Sequence, residues 1–325
     1  MSSIMVSSLA FLAAAISVGL MGYAIQRGAT CTVAAMDELV TKRTGWRLIS
    51  LLEASLWVAG GLLVAQALHL LGTMPAGYPV NAWTIVGGAL LGLGAFVNGA
   101  CVFGAIARFG SGEWVYAATP LGFYVGCLSV GTVFAPLAPH RLAHDSPVLR
   151  ASSWLAPAFV AFVSWRVARS FVGARLPDWR ARVWAPHAAT IVIGVTFLAA
   201  LLLVGAWAYT DVLAELARGM AGSVLARGLL LLALLLGAAL GGWTAGRFQH
   251  RPIRAAPLAR CFGGGVLMGW GSLLIPGGND GLILVGMPLL WPYAWVAFGT
   301  MCVTIAAAQV VRRSRAASLV GNRVA

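Results

Sequence analysis

Gly87-Gly88-Ala89-Leu90-Leu91-Gly92-Leu93-Gly94 and Gly264-Gly265-Val266-Leu267-Met268-Gly269-Trp270-Gly271 carry glycine at the same four positions in two apolar runs displaced by 177 residues, and Gly104 and Gly281 keep that displacement. Glycine at helical spacing lets membrane helices approach backbone to backbone. Each run sits in a stretch near the roughly 18–20 apolar residues that cross hydrocarbon. The pair therefore predicts a membrane protein with an internal repeat. The alternative, a fortuitous match between two glycine-rich helices, stays open at this point.

Working outward, the whole chain fits the same class. Its 325 residues are 60% hydrophobic and only 10% charged, and mean hydropathy is +0.87, which leaves too little charge to cover a soluble domain of this size. Hydropathy predicts an all-α, polytopic bundle of about nine transmembrane helices, near 3–25, 48–71, 82–106, 114–136, 151–170, 189–210, 227–248, 258–276 and 287–311. The third and eighth are glycine-rich enough to be broken or re-entrant. Residues 1–150 and 151–325 then form two halves of one membrane domain. The first stretch lacks a basic leader and reads as a retained helix.

The net charge of +13 comes from 22 Lys and Arg against 9 Asp and Glu. The basic residues fall between apolar runs, not on one soluble face, so they indicate topology and not nucleic acid. Lys42, Arg43 and Arg47, then Arg108, then Arg175, Arg180 and Arg182, then Arg251 and Arg254, and finally Arg312, Arg313 and Arg315 all fall on one side of a nine-span stack. The connection 72–81 on the other side has no Lys or Arg, and only His140, Arg141 and Arg150 dilute the pattern. The N-terminus is expected outside and the C-terminus in the cytoplasm. With that order of spans, the third and eighth run in opposite directions and the glycine repeat is inverted, an arrangement that places substrate sites near mid-membrane. A second likeness, Gly22-Tyr23-Ala24-Ile25-Gln26-Arg27 with Gly242-Trp243-Thr244-Ala245-Gly246-Arg247, needs another displacement and argues against a simple two-half scheme.

Three polar interruptions are candidate route residues. Gln26-Arg27-Gly28-Ala29-Thr30-Cys31 closes the first span, and a broken helix there would aim free N–H groups at an anion. Arg27 as a topology residue and Cys31 as a small buried side chain is the plainer reading. Asn98-Gly99-Ala100-Cys101 joins an amide, a flexible residue and a thiol where the third span loses its regularity. Pro276-Gly277-Gly278-Asn279-Asp280-Gly281 breaks the eighth, and Asp280 there could fix backbone, accept a proton or repel a wrong anion. An ordinary turn outside the bilayer also fits it. Cys127, Cys261 and Cys302 read as helix-packing residues. Five cysteines without CxxC spacing support neither a disulfide framework nor structural zinc. No phosphate loop or HExxH appears, so no cofactor, metal or enzymatic activity is expected.

At these residues the sequence resembles the YeeE/YedE-type sulfur-transport membrane family. The resemblance implies uptake of an inorganic sulfur anion, thiosulfate above all, through the bacterial inner membrane, past cysteines that meet the anion in succession. Cys31 matches the first family cysteine and Cys101 the second. The third falls on Gly278, before Asn279, so one thiol of the family pattern is replaced. The expected partners are the sulfur anion and membrane lipid, with a cytoplasmic sulfur carrier as a further partner in the persulfide-handling alternative. Alternatives are transport of another sulfur or selenium species, a persulfide-handling membrane protein working with that carrier, and a purely structural subunit.

Overall fold

The structure, a computed structural model, describes residues 2–134, 140–150, 154–172, 182–219 and 224–324. The elements are α1 (Ser2–Gly28), α2 (Thr32–Lys42), α3 (Trp46–Ala67), α4 (Ala82–Asn98), α5 (Val102–Gly110), a 3₁₀ turn (Trp114–Ala117), α6 (Ala118–Phe134), α7 (Leu155–Val172), α8 (Pro186–Val204), α9 (Tyr209–Ala217), α10 (Val224–Thr244), α11 (Ala255–Leu274), α12 (Asn279–Gly281) leading into a π-helical turn (Leu282–Gly286), and α13 (Pro292–Val324). Arg175 and Arg180, used above for topology, lie outside the described residues.

Among the described residues, seven helical stretches are long and apolar enough to span a bilayer, and α11 with α12 and the π turn makes an eighth, bent by 50°. The fifth expected span corresponds to α7, whose apolar part, Leu155–Arg166, is shorter. The chain is thus a multi-pass, all-α membrane bundle. Leu9, Leu12, Ile16 and Leu20 on α1 and Leu229, Leu232, Leu236 and Leu240 on α10 are exposed, as expected where the solvent is lipid.

Local sequence sets the breaks. Asn81 caps α4 by accepting from Thr84 N–H at 3.1 Å, and Thr84 Oγ1 accepts from Asn81 N–H in return, a reciprocal capping box. Gly99 ends α4 at φ 75°, a left-handed conformation that favours glycine. Pro186 and Pro292 occupy the first turns of α8 and α13, where their missing N–H costs nothing.

The displacement of 177 residues relates far more than the glycines. It carries the start of α2 (Thr32) onto that of α9 (Tyr209), the start of α5 (Val102) onto that of α12 (Asn279), and α1, α3, α4 and α6 onto the ranges of α8, α10, α11 and α13. Packing follows the same rule. A Cβ on Gly94 would lie 2.6 Å from Gly264 O, and one on Gly271 would lie 2.5 Å from Gly87 O. These two contacts exchange under the displacement, and because 87 meets 271 while 94 meets 264, α4 and α11 run antiparallel. Gly88 and Gly92 press on Ala297 O and Met301 O of α13, and their counterparts Gly265 and Gly269 press on Thr119 O and Phe123 O of α6. The likeness of Gly22–Arg27 to Gly242–Arg247 has another origin. Gly19 and Gly22 of α1 pack on Ala233 and Leu234 of α10, with Gly241 facing Tyr23 O, so those helices are parallel neighbours and not repeat partners.

Candidate functional site

Four helices start at mid-bundle, and the residues preceding them define the site. Cys31, Cys101, Ala208 and Gly278 are the N-caps of α2, α5, α9 and α12. Cys101 (φ −73°, ψ −178°) and its counterpart Gly278 (φ −80°, ψ 178°) share one backbone conformation. First-turn N–H groups lack intrahelical acceptors, so such starts favour negative charge.

In the first half the starts carry thiols. Thr32 N–H donates to Cys101 Sγ at 3.1 Å, and the Cys31 and Cys101 thiols lie within hydrogen-bond reach of each other. Cys101 is fully buried, whereas Cys31 is half-buried. A Cβ on Gly104 would stand 2.5 Å from Cys31 Sγ, so that glycine makes room for the thiol. Asn98 fixes the break beside them: its Nδ2 donates to Ala100 O at 2.7 Å, and its Oδ1 accepts from Thr119 Oγ1 at 3.0 Å.

Cys31 lines a cavity of about 1000 Å³ together with Gln26, Asn98, Gly99 and Tyr116. The described lining also holds Arg47, Arg108, Arg182, Arg247, Arg251, Arg260 and Arg312 against only two carboxylates, Asp37 and Glu113. Glu113 pairs with Arg108 and Arg251 at 3.7 and 3.8 Å. Gln26 donates from Nε2 to Ser111 Oγ at 3.2 Å. Arg27 is not part of this lining; its guanidinium lies over the rings of Tyr23 and Trp184, 5.4 and 5.7 Å from their centroids.

The second half has no thiols at its starts. A Cβ on Gly278 would meet Thr210, at 2.1 Å from Oγ1 and 2.5 Å from Cβ. Asp280 accepts from Thr210 N–H at 3.1 Å and from the Thr210 hydroxyl. Asn279 is buried with neither side-chain amide atom bonded to protein. Where the first half opens a vestibule at Cys31, the second encloses only about 10 Å³ at Ala208, walled by Trp207, Phe103 and Leu284, which is scarcely room for one water.

The structure therefore brings Cys31, Asn98, Gly99 and Gln26 together in the lining of the vestibule, with Cys101 buried against Cys31, and gathers Gly278, Asn279 and Asp280 at the start of α12 beside Thr210, where Asp280 alone of the three lines the small closed space. Sequence reading missed Thr32 and Thr210, whose roles depend on helix starts that apolar patterning does not reveal. It also missed Trp114-Val115-Tyr116 and Trp291-Pro292-Tyr293, a second pair at the displacement of 177. Among the described residues no group of three His, Cys, Asp or Glu side chains could hold a metal.

A family model described as "Sulphur transport" matches residues 27–307. The chain is also 27% identical over 314 residues to a protein of Spirochaeta thermophila named thiosulfate transporter TsuA, covering 86% of this chain and 92% of that one. The match spans both thiol-bearing helix starts and both halves of the repeat, so this chain, a multi-pass membrane transport protein for a small solute, belongs to the sulphur-transport family.

Proposed function

We propose that the chain imports a small inorganic sulfur anion, thiosulfate foremost, across the bacterial inner membrane. The observation that carries this reading is an arginine-lined vestibule with Cys31 in its wall and the Cys101 thiol within reach of Cys31. The name of the Spirochaeta relative supports the substrate. In this reading residues 1–150 and 151–325 are two halves inverted in the bilayer, the N-terminus is outside, and the arginine-rich mouth faces the cytoplasm. The anion arrives from the opposite face, is attracted by N–H groups at the helix starts, passes Cys101 and Cys31 by weak thiol contacts, and leaves through the vestibule. Such contacts attract without holding the ion long enough to stop transit. A cytoplasmic sulfur carrier would receive it there.

A second reading, transport of another sulfur or selenium anion, is favoured by one observation. Thr210 occupies the place where a side chain on residue 278 would stand, so the third thiol of the family pattern is replaced by a hydroxyl held on Asp280.

Purified protein in proteoliposomes, given thiosulfate, sulfate, sulfite and selenite separately, tests both. Thiosulfate uptake should exceed that of empty vesicles and fall at least tenfold in Cys101→Ser, with Cys127→Ser close to wild type. Uptake of selenite without thiosulfate would select the second reading, and unchanged thiosulfate uptake in Cys101→Ser would remove Cys101 from the route.

A further inference from the structure

We propose that Asp280 is the binding site of a coupling proton, taken up with each anion and released with it on the cytoplasmic side. The inference rests on reading the chain as an importer of a small sulfur anion. A dianion moving into a negatively charged interior climbs the membrane potential, so net import needs a co-ion, and the thiols and helix starts supply none.

Asp280 is the acid whose charge the bundle leaves unanswered. It sits at the break in the eighth span and is only 3% exposed. Asp37, Glu38, Glu53, Glu113 and Glu215 each have an arginine partner. Among the described residues no Arg, Lys or His pairs with Asp280, whose carboxyl meets Thr210 N–H at 3.1 Å and the Thr210 hydroxyl. A buried acid within a membrane needs either an opposite charge or a proton.

The surroundings select a proton over a larger cation. Asp280 borders the closed space of about 10 Å³, whose walls include Met21 of α1, Phe103 of α5, Phe197 of α8, Leu234 of α10 and Leu284 of the π-helical turn. Tyr209 of α9 is the only other ionisable group on that lining. Hard metal cations take a cage of several oxygens, which these side chains do not offer. A further acid of α9, Asp211, holds its carboxylate oxygens 3.8 and 3.9 Å from where a Cβ on Gly281 would stand, and Arg218 and Arg227 offset its charge.

Thr210 serves both forms of the acid. Its hydroxyl donates to the carboxylate; when Asp280 is protonated, the same hydroxyl accepts that proton while the backbone N–H still donates to the other carboxyl oxygen. The site therefore gains and loses a proton without parting α9 from α12.

The repeat connects this site to the cargo. In the first turn of α2, Thr32 N–H meets the Cys101 thiol, whereas in the first turn of α9, Thr210 N–H meets a carboxyl group. Ionised, Asp280 cancels the pull of the α9 start on an anion, and it repels cargo at Cys101, two residues before Phe103 on the shared wall. A proton on Asp280 removes both effects. Anion and proton thus raise each other's affinity, and the linkage is reciprocal.

The test uses proteoliposomes with the membrane potential clamped at zero. With one proton per anion, an outside pH one unit below that of the lumen should concentrate thiosulfate inside about tenfold at equilibrium, and the reverse gradient should deplete it by about the same factor. Asp280→Asn, which keeps an acceptor for Thr210 N–H, should bring both ratios to about one, while Asp211→Asn should leave them near the wild-type values. Infrared spectra of the purified protein should show a carboxylic-acid carbonyl band in wild type that is missing from Asp280→Asn. Wild-type ratios of one in both gradients overturn the proposal even where the asparagine variant does not fold, as do ratios that Asp280→Asn leaves unchanged or that Asp211→Asn alone abolishes. If wild type carries none of the four anions, the transport reading falls; the proton site then stands if the band is present and falls if it is absent.

Discussion

A side chain on residue 278 would collide with Thr210 at three atoms, Oγ1, Cβ and Cγ2, and which of them is decisive can be separated by mutation. Rotating the hydroxyl away would relieve the 2.1 Å approach to Oγ1, but the 2.5 Å approach to Thr210 Cβ remains for any residue except glycine. Gly278→Cys should therefore lower stability in detergent by about 1–3 kcal/mol, the usual range for overpacking. Adding Thr210→Ala should recover little, and adding Thr210→Gly should recover most, less about 1 kcal/mol for glycine in a helix. Thermal unfolding of the four proteins reads this directly. A Gly278→Cys protein as stable as wild type would show that Thr210 does not hold the thiol's place. Resemblance alone marked the missing cysteine at 278; the residue that fills its space lies on another helix start, 68 positions away in sequence, where no local pattern points to it.

Between elements, the seam of α4 and α11 decides the fold, and its glycines are not equivalent. A Cβ on Gly94 would approach Gly264 O at 2.6 Å and Met268 N at 2.8 Å, both backbone atoms that cannot swing aside, whereas one on Gly263, the residue next to Gly264 on α11, would meet nothing within 4 Å. Gly94→Ala should cost about 1–3 kcal/mol by forcing the helices apart. Gly263→Ala should be neutral or stabilising by up to about 1 kcal/mol, because alanine loses less conformational freedom in a helix. Denaturation of both variants in the same detergent checks the contrast, and equal effects would mean the seam yields. The fixed displacement of the glycines made this seam legible from sequence. The short helices were not: α2 carries Asp37, Glu38 and Lys42 and so lacks an apolar run, while the apolar pattern of 189–210 continues straight through the break at Gly205, which has φ 85°. Since Cys31 and Ala208 owe their positions to those short helices, half of the site was hidden with them. Arg27 shows the converse: a charged residue beside a break looked like part of the route, but its orientation toward Tyr23 and Trp184 depends on neighbours brought in by the fold.

For the molecule as a whole, the repeat is symmetric in backbone and asymmetric in charge. The vestibule residues Arg47, Arg108, Arg247, Arg251 and Arg260 correspond across 177 positions to Val224, Val285, Leu70, Met74 and Trp83. The arginines thus give this cavity an anion-attracting field that the positions related to them by the repeat lack, a bias that topology alone explains in the connecting loops but that inside a cavity also acts on the cargo. Replacing Arg247 and Arg260 by glutamate changes the charge by about four units. At a separation of about 10 Å from a dianion in water, that amounts to roughly 3 kcal/mol before screening, and a Debye length of about 8 Å at physiological salt reduces it to about 1 kcal/mol. Thiosulfate protection of Cys31 against a charge-neutral, impermeant maleimide applied from the arginine-rich face should therefore need about fivefold more thiosulfate in the double variant at physiological salt. At about 0.01 M ionic strength, where the Debye length is about 30 Å, the difference should widen to roughly fiftyfold. A difference that does not grow as salt is removed would mean that these arginines act through local structure and not through the field of the vestibule. Reagent reaching Cys31 equally from both faces would place the open mouth, and with it the charge asymmetry, on no particular side of the membrane.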